Sequence, residues 1–411
     1  MQTIQFPLIG NTNIMAIIIL VHVFFAFVAV GALCLAFYWE MLAVKKQKPN
    51  YDKLAYKIVK AISDMMKLNG VLGVGILILL ISLFPIFTSK LYRIFFWGLI
   101  LELIAFFFLM LSSIFYLNTF KKKSNLHNFW GLMACTMAIF AALIINAVHS
   151  FMLTPGNYFS NLSLIDAIFN PSMIPSAFHL IIPCIINAAM IIFLFYSYRT
   201  FKNINEYNAF SRDEARKVIN LLIFLQPIAG ISYLLTIYNF NKEAYKSLIS
   251  GLASYPFWIM IILASMILIL NITSFFIKDK LKNIIIILMC LLAFTTFVFG
   301  GYARERARKP YLIYGHMYSN QLLNEKNDVA AESKYNKKTI NAVNIMQKNA
   351  CTNCHKINGS GGGSGGELVS LYDYFDKETL KELLTNPPEG MTPFVGSEDE
   401  MDVLIKFLMN L

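Results

Sequence analysis

The chain has 411 residues, of which 57% are hydrophobic and only 14% are charged. A soluble domain carries about a quarter charged residues, so this composition excludes a wholly soluble protein and predicts that most of the chain lies in lipid. The formal net charge of +11 does not indicate nucleic-acid binding, because membrane proteins collect basic residues in their cytoplasmic loops. We expect the lipid membrane as a partner and no nucleic acid.

Apolar runs long enough to cross a bilayer recur from the N-terminus to about residue 302. They predict eight transmembrane helices, near residues 12–38, 66–88, 94–118, 127–153, 172–198, 217–238, 254–277 and 282–302. The first run has no basic segment before it and no small-residue cleavage site, so we interpret it as a span and not as a cleavable signal peptide. Isolated cysteines in these runs are typical of small buried apolar residues: Cys34, Cys135, Cys184 and Cys290.

Basic residues lie mainly on one side of these spans. The links after the first, third, fifth and seventh spans contain Lys45, Lys46, Lys48, Lys53, Lys57, Lys60, Lys121 to Lys123, Arg199, Lys202, Arg212, Arg216, Lys217, Lys278, Lys280 and Lys282. The links after the second, fourth and sixth spans contain Lys90, Arg93, Lys242 and Lys246. The positive-inside rule therefore predicts that the N-terminus and the segment after the last span both lie outside the cytoplasm.

The composition changes to that of a soluble segment at about residue 303. We predict a transmembrane domain at residues 1–303, a polar extracytoplasmic connector at 304–334 and a small helical domain at 335–411. The glycine-rich run from Gly359 to Gly366 lies inside this last domain and is interpreted as a loop. The predicted fold is all-α: a transmembrane bundle of eight helices followed by a small soluble domain.

The string Cys351-Thr352-Asn353-Cys354-His355 has the spacing that attaches haem to two thiols and presents the following histidine to iron. A zinc site would need further ligands, and residues 335–411 contain no other cysteine or histidine. Met391 follows in the setting Asn386–Phe394, where class I cytochromes c place their axial methionine. A His/Met pair gives a relatively high potential. Such haem is attached outside the cytoplasm in bacteria, in agreement with the loop charges.

The same domain ends with Ser397 and Glu400 in the spacing of a helix capping box. This pattern predicts a helix that begins there and runs to Leu411. Together with the haem-attachment string, it completes the prediction of one covalent haem c on a cytochrome c domain. We expect that domain on the periplasmic side of a bacterial inner membrane.

Ionisable side chains inside a span are costly and indicate function by default. The clear cases are His22, Glu102, His149 and His179. With the N-terminus outside, these residues fall in the outer half of the membrane, as do Met260 and Glu305, and this clustering predicts haem sites that face an external redox partner. Glu40 and His127 lie at predicted cytoplasmic span ends, where we expect them to be solvated. His316 lies past the last span and is expected at the surface.

Several motifs in residues 1–315 resemble subunit I of the cytochrome bd family. They are His22–Gly31 with Glu40, Glu102 in Leu101–Phe108, Asn170-Pro171 with Phe178-His179, Tyr255–Met260, and Glu305–Tyr311. The resemblance implies that His22 and Glu305 bind high-spin haem, that Glu102 is the carboxylate at the oxygen-reducing site, and that Arg308 contacts haem propionates. It further implies that His179 and Met260 bind the low-spin haem b. The implied cofactors are one low-spin haem b and one or two high-spin haems of type b or d.

The chain also departs from the family pattern. The loop after the sixth span, where the family oxidises quinol, is reduced to about residues 239–253. A second carboxylate of the third helix is replaced by Met110, and an arginine of the seventh by Trp258. His149 stands where the family usually has asparagine, so it is either an additional haem ligand or a buried hydrogen-bonding histidine. The cytochrome c domain takes the place of the ninth helix.

Three hypotheses for function follow. The leading one is a membrane oxidoreductase that passes electrons between the covalent haem and a bd-like core, where oxygen or another small oxidant such as nitric oxide is reduced. The rival is a conduit that carries electrons from the quinol pool to periplasmic cytochrome c acceptors without reducing oxygen. A mere anchor for a cytochrome c is disfavoured by the ionisable residues in the spans. The expected partners are a second membrane subunit similar to bd subunit II and a periplasmic redox protein. Use of quinol and the direction of electron flow stay open.

Overall fold

A computed structural model describes residues 11–318 apart from 123 and 204. In the C-terminal segment it describes residues 342, 344–346, 348–349, 351, 355–357, 360–361, 368, 375–388 and 391–409. These residues divide into two compact units. The first lies within Met1–Gly156 and Leu164–Lys309, and the second within Asn157–Ser163 and Pro310–Leu411.

The first unit is built from helices. They are α1 (Asn11–Lys46), α2 (Pro49–Leu83), α3 (Pro85–Thr119), α4 (Asn125–Leu153), α6 (Leu164–Ile168), α7 (Met173–Lys202), α8 (Glu206–Leu222), α9 (Leu225–Phe240), α10 (Lys242–Ser250), α11 (Ser254–Ser274) and α12 (Asp279–Ala307), while the short α5 (Tyr158–Asn161) belongs to the second unit. Eight spans, one of them composed of α8 and α9, are long and apolar enough to cross a membrane. The predicted number of spans is therefore confirmed.

The second helix begins at Pro49, well before the predicted start near residue 66. Tyr51, Leu54, Ala55 and Ile58 are buried at helical spacing, while the lysines between them face outward. Those lysines lower the average hydropathy and hide the helix from a search for apolar runs. Proline is favourable at the first helical position because the N–H that it lacks would have no partner there.

The sixth span is interrupted. A turn at Ile223 and Phe224 separates α8 from α9, and Pro227 lies in the first turn of α9. Proline cannot donate to the helix ladder and is tolerated in the first turn, so the new helix begins just ahead of it. The interruption fixes the position of Gln226, which is the second residue of α9.

The centre of the bundle is close-packed around α1 and α7. A Cβ atom on Gly31 of α1 would overlap the backbone carbonyl group of Cys184 on α7. Small residues allow two helix backbones to approach in this way and are common where membrane helices cross. Trp39, Tyr116 and Phe193 are fully buried in the same core.

Besides α5, the described part of the second unit contains two short antiparallel hairpins and two longer helices. Strand β1 (Tyr311–Ile313) pairs with β2 (Met317–Tyr318), and β3 (Lys356–Ile357) with β4 (Ser360–Gly361). Helices α13 (Lys377–Thr385) and α14 (Glu398–Leu408) follow. The predicted capping box is confirmed at the start of α14, where the Ser397 backbone N–H and the Lys348 ammonium hold the pKa of Glu400 below its usual range. His316 is half-buried, not at the open surface as expected, and its ring stacks on Phe159.

Candidate haem sites

His22 lies in the first half of α1 and faces α2. One of its ring nitrogens, Nδ1, is buried and has no hydrogen-bond partner among the described residues. A Cβ atom at Gly73, one turn further along α2, would lie 3.3 Å from Cε1 of the ring. A buried polar atom without a partner is costly, and imidazole nitrogens bind haem iron. The residues at this site therefore fit an iron ligand.

His149, near the end of α4, lies close enough to His22 for their charges to interact. Its backbone carbonyl accepts a hydrogen bond from the Arg304 guanidinium of α12, and Arg304 and Arg308 both act on it electrostatically. Among the described residues none makes a hydrogen bond to the His149 ring. Three helices thus bring two histidines and two arginines together at the end of the bundle where α4 ends.

Glu305 completes this group, which we call the histidine–arginine cluster (His22, His149, Arg304, Glu305 and Arg308). Its carboxylate accepts hydrogen bonds from Arg308 Nη2 at 2.5 Å and Nε at 3.0 Å. Lys309 Nζ lies 3.2 Å from its second oxygen. The Arg308 side chain is only 8% exposed, and a buried guanidinium suits a planar acidic group such as a carboxylate. Glu305 is therefore paired with cations and is not a free carboxylate.

His179 lies near the start of α7, with α9 beside it. Its Nδ1 is 3.0 Å from Nε2 of Gln226, and a Cβ atom at Gly230 would lie 3.4 Å from its Cε1. On α11, Met260 faces another glycine: a Cβ atom at Gly300 of α12 would lie 3.2 Å from the Met260 sulfur. Like His22, both predicted ligands therefore lie in close contact with a glycine, where a larger residue would press on the imidazole ring or the sulfur.

Glu102 stands apart from these residues. It is half-buried on α3, close to Tyr92, and makes no hydrogen bond or ion pair with any described residue. Its neighbours Leu101, Leu103 and Ile104 are exposed large apolar side chains. The structure thus places Glu102 beside a face of α3 that the described helices leave open, and no polar contact joins it to the histidine–arginine cluster.

The predicted covalent haem site lies in the second unit and is described in part. Cys351 is a free thiol and packs, with Met391, against the core formed by α13, α14 and Ile345. The Asn349 side chain bonds both backbone groups of Val395, at 2.7 Å from the N–H and 3.2 Å from the carbonyl. The residues just before the attachment string are thereby tied to the segment that carries Met391. His355 is half-buried, and Cys354 lies outside the described residues.

The arrangement can be compared with known proteins. A family model described as cytochrome bd terminal oxidase subunit I matches residues 13–239, more than half of the chain. The chain belongs to this family. The structure is similar to that of the bd oxidase from Geobacillus thermodenitrificans, with a TM-score of 0.68 and 16% identity over 78% of this chain and 92% of that one. At that identity the likeness concerns the fold. A search among curated proteins finds no match.

Membership of the bd subunit I family makes the chain a multi-pass inner-membrane protein of a respiratory oxidoreductase family. The family binds b- and d-type haems, and bd oxidases work in the membrane with a second subunit. The resemblance noted in the sequence is thus confirmed for the bd-like part. The roles of single residues stay predictions, because the match does not identify ligands.

The first unit, which we call the bd-like unit, also holds a buried polar network, although the sequence predicted solvated side chains there. Glu40 and His127 are not solvated, because their exposed fractions are 2% and 0%. Tyr116 beside them is also fully buried. Glu40 Oε1 lies 2.6 Å from His127 Nε2, and its Oε2 accepts a hydrogen bond of 2.5 Å from the Tyr116 hydroxyl. The network joins α1, α3 and α4 at the end of the bundle opposite the histidine–arginine cluster.

The protonation of this network follows from its hydrogen bonds. Thr119 Oγ1 donates to the Phe115 carbonyl at 2.6 Å and lies 3.0 Å from His127 Nδ1. Because its single proton is used, Thr119 accepts from Nδ1, and Nε2 shares one proton with Glu40. The matching depth of two ionisable residues on different spans was the signal that could have revealed the pair.

Replacing His127 with leucine is expected to destabilise the protein by about 3–5 kcal/mol, because it leaves a carboxylate buried without its partner. Glu40→Gln is the matched control. Its amide donates to neutral His127 and accepts from Tyr116, so we expect a much smaller loss. Thermal unfolding in detergent, followed by circular dichroism, measures both. A His127→Leu protein as stable as the wild type would contradict the role assigned to this network.

Proposed function

We propose that this chain is the haem-bearing subunit of a membrane oxidoreductase that passes electrons between a covalent haem c and b- or d-type haems. Oxygen or another small oxidant is reduced in the bd-like unit. The observation that carries the proposal is the histidine–arginine cluster of a family that binds haem. In this cluster, Nδ1 of His22 is buried and accepts or donates no hydrogen bond among the described residues. A haem with an open axial position supplies the site for a diatomic ligand.

The side chains have distinct roles in this proposal. His22 ligates a high-spin haem, and Arg308 and Arg304 supply positive charge for its propionates and balance Glu305. His179 and Met260 would hold the low-spin haem b, and each lies against a glycine. Glu102 holds a proton near the oxidant. Cys351 and Cys354 would hold haem c covalently, and His355 and Met391 would ligate its iron.

The topology and partners belong to the same proposal. The N-terminus and the cytochrome c domain, within residues 335–411, lie on the periplasmic side, as the loop charges indicate. The connector lies at 304–334. A periplasmic redox protein exchanges electrons with haem c, and a second subunit covers part of the bundle. The exposed apolar face of α3 around Glu102 agrees with such a cover.

A second candidate function, the conduit between quinol and periplasmic cytochromes, is favoured by two observations. The His149 ring makes no hydrogen bond to a described residue and lies near His22. If both rings bound the same haem from opposite sides, no axial position would remain for an oxidant. Met110, in place of a carboxylate, also favours this alternative.

The spectrum of the reduced holoprotein with and without carbon monoxide tests the proposal. We expect a carbon monoxide shift from a haem with an open position, and the same shift in a His149→Asn variant. The conduit predicts six-coordinate haems without a shift in the wild type, and a new shift once His149 is replaced. That second pattern would overturn the proposal in favour of the conduit.

A further inference from the structure

Gln226 occupies a special place beside His179. The break between α8 and α9 sets it in the first turn of α9, directly ahead of Pro227. Its Nε2 lies 3.0 Å from His179 Nδ1 and 3.4 Å from the His179 carbonyl oxygen. Its other end, Oε1, is buried and has no hydrogen-bond partner in the part of the chain that the structure describes. Placing a polar amide inside a span costs free energy. The contact between the Gln226 amide and His179 Nδ1 is therefore expected to have a function.

The contact decides which nitrogen of His179 can bind a metal. Because Gln226 occupies Nδ1, the free ring nitrogen is Nε2. A neutral imidazole that binds iron through Nε2 carries its proton on Nδ1 and needs an acceptor there. The unpartnered Oε1 is that acceptor, and a half-turn of the amide brings it to Nδ1, since the two ends of an amide have the same shape. Gly230, one turn further on, leaves the ring room.

We propose that Gln226 is a positioning residue for the haem ligand His179: in the haem-bound protein its Oε1 accepts the Nδ1 proton, fixes the ring orientation and the tautomer, and makes Nε2 more basic. This inference rests on the proposed function, because it takes His179 as a haem ligand. Partners of this kind orient ligating histidines and raise their basicity. A more basic ligand stabilises ferric over ferrous iron, so Gln226 lowers the potential of the low-spin haem.

Two substitutions at Gln226, which are expected to shift the potential of the low-spin haem in opposite directions, test the inference in the purified holoprotein. Gln226→Leu removes the acceptor, and the potential of the low-spin haem is expected to rise. Gln226→Glu offers a carboxylate acceptor, which draws the Nδ1 proton more strongly, and the potential is expected to fall. Spectroelectrochemical titration of the low-spin haem band measures both. Weaker haem retention in Gln226→Leu, of the order of 10–100-fold, is also expected.

The outcomes separate this inference from the proposed function. If Gln226→Leu does not assemble, the fall expected for Gln226→Glu decides alone. Unchanged potentials in variants that keep their haem, or shifts of the same sign in both, overturn the role of Gln226. A His179→Leu protein that still holds the low-spin haem overturns the ligand assignment of the proposed function itself. If His179→Leu loses that haem while the Gln226 variants keep the wild-type potential, the role of Gln226 is contradicted and the ligand assignment of His179 stands.

Discussion

A chain in which Cys351 and Cys354 are both replaced by serine is expected to lose its covalently bound haem completely. Serine cannot form the thioether bonds that the attachment string provides. The structure places Cys351 as a free thiol on the same core as Met391, and burial raises the pKa of that thiol. Haem staining of a denaturing gel measures the result, because only covalent haem stays with the chain. The pyridine haemochrome should keep its b-type component and lose its c-type component.

The chain offers a matched control for this experiment. Cys34 and Cys135 form another pair of thiols, 3.2 Å apart, between α1 and α4 of the bd-like unit. Replacing both with serine changes the same number of cysteines and leaves the attachment string intact. We expect this protein to keep its stained band. A band that persists after loss of Cys351 and Cys354 would contradict the haem c assignment.

Replacing His179 with leucine is expected to remove the low-spin haem b from the bd-like unit. Leucine is apolar and of similar size, so the ring packing against Gly230 is disturbed little while the iron ligand disappears. Reduced-minus-oxidised difference spectra of the purified protein measure the loss. The proposed covalent haem should keep its bands, because its attachment string belongs to the other unit.

The companion substitution Met260→Leu tests the other axial position of the same haem. Because His179 remains, we expect this haem to stay bound through one ligand, to become high-spin and to bind carbon monoxide. Equal low-spin spectra in the wild type and in both variants would mean that neither residue is a ligand. A loss confined to Met260→Leu would contradict the leading role given to His179.

Some structural elements could be predicted from the sequence and others could not, for physical reasons. The spans were predictable because hydropathy is a local property summed over about twenty residues. The capping box was predictable because its two residues are three positions apart. The first part of α2 was missed since its lysines alternate with buried residues, and the break in span six was missed because only one proline marks it.

For the sites as well, features encoded by neighbouring residues were predictable and contacts between distant residues were not. The attachment string at Cys351–His355 is contiguous, so its chemistry can be predicted from five residues. The predicted intramembrane ligands, such as His22 and His179, are not marked by any spacing between neighbouring residues, and their roles were predicted from the family resemblance. Partners distant in sequence were not predictable: Glu40 pairs with a histidine 87 positions away, and Gln226 with one 47 positions away. Such pairs depend on helix packing, which no local pattern encodes.

The most direct test of the central claim is an oxidant pulse given to the fully reduced holoprotein, with the haem c and haem b bands followed by stopped-flow spectroscopy. With oxygen or nitric oxide as the oxidant, we predict that the b-type bands and the haem c band are both oxidised in the wild type. In His179→Leu, we predict that haem c stays reduced while the high-spin haem is oxidised. The account would be contradicted if haem c were oxidised at the same rate in both proteins. It would also be contradicted if neither oxygen nor nitric oxide oxidised the b-type haems.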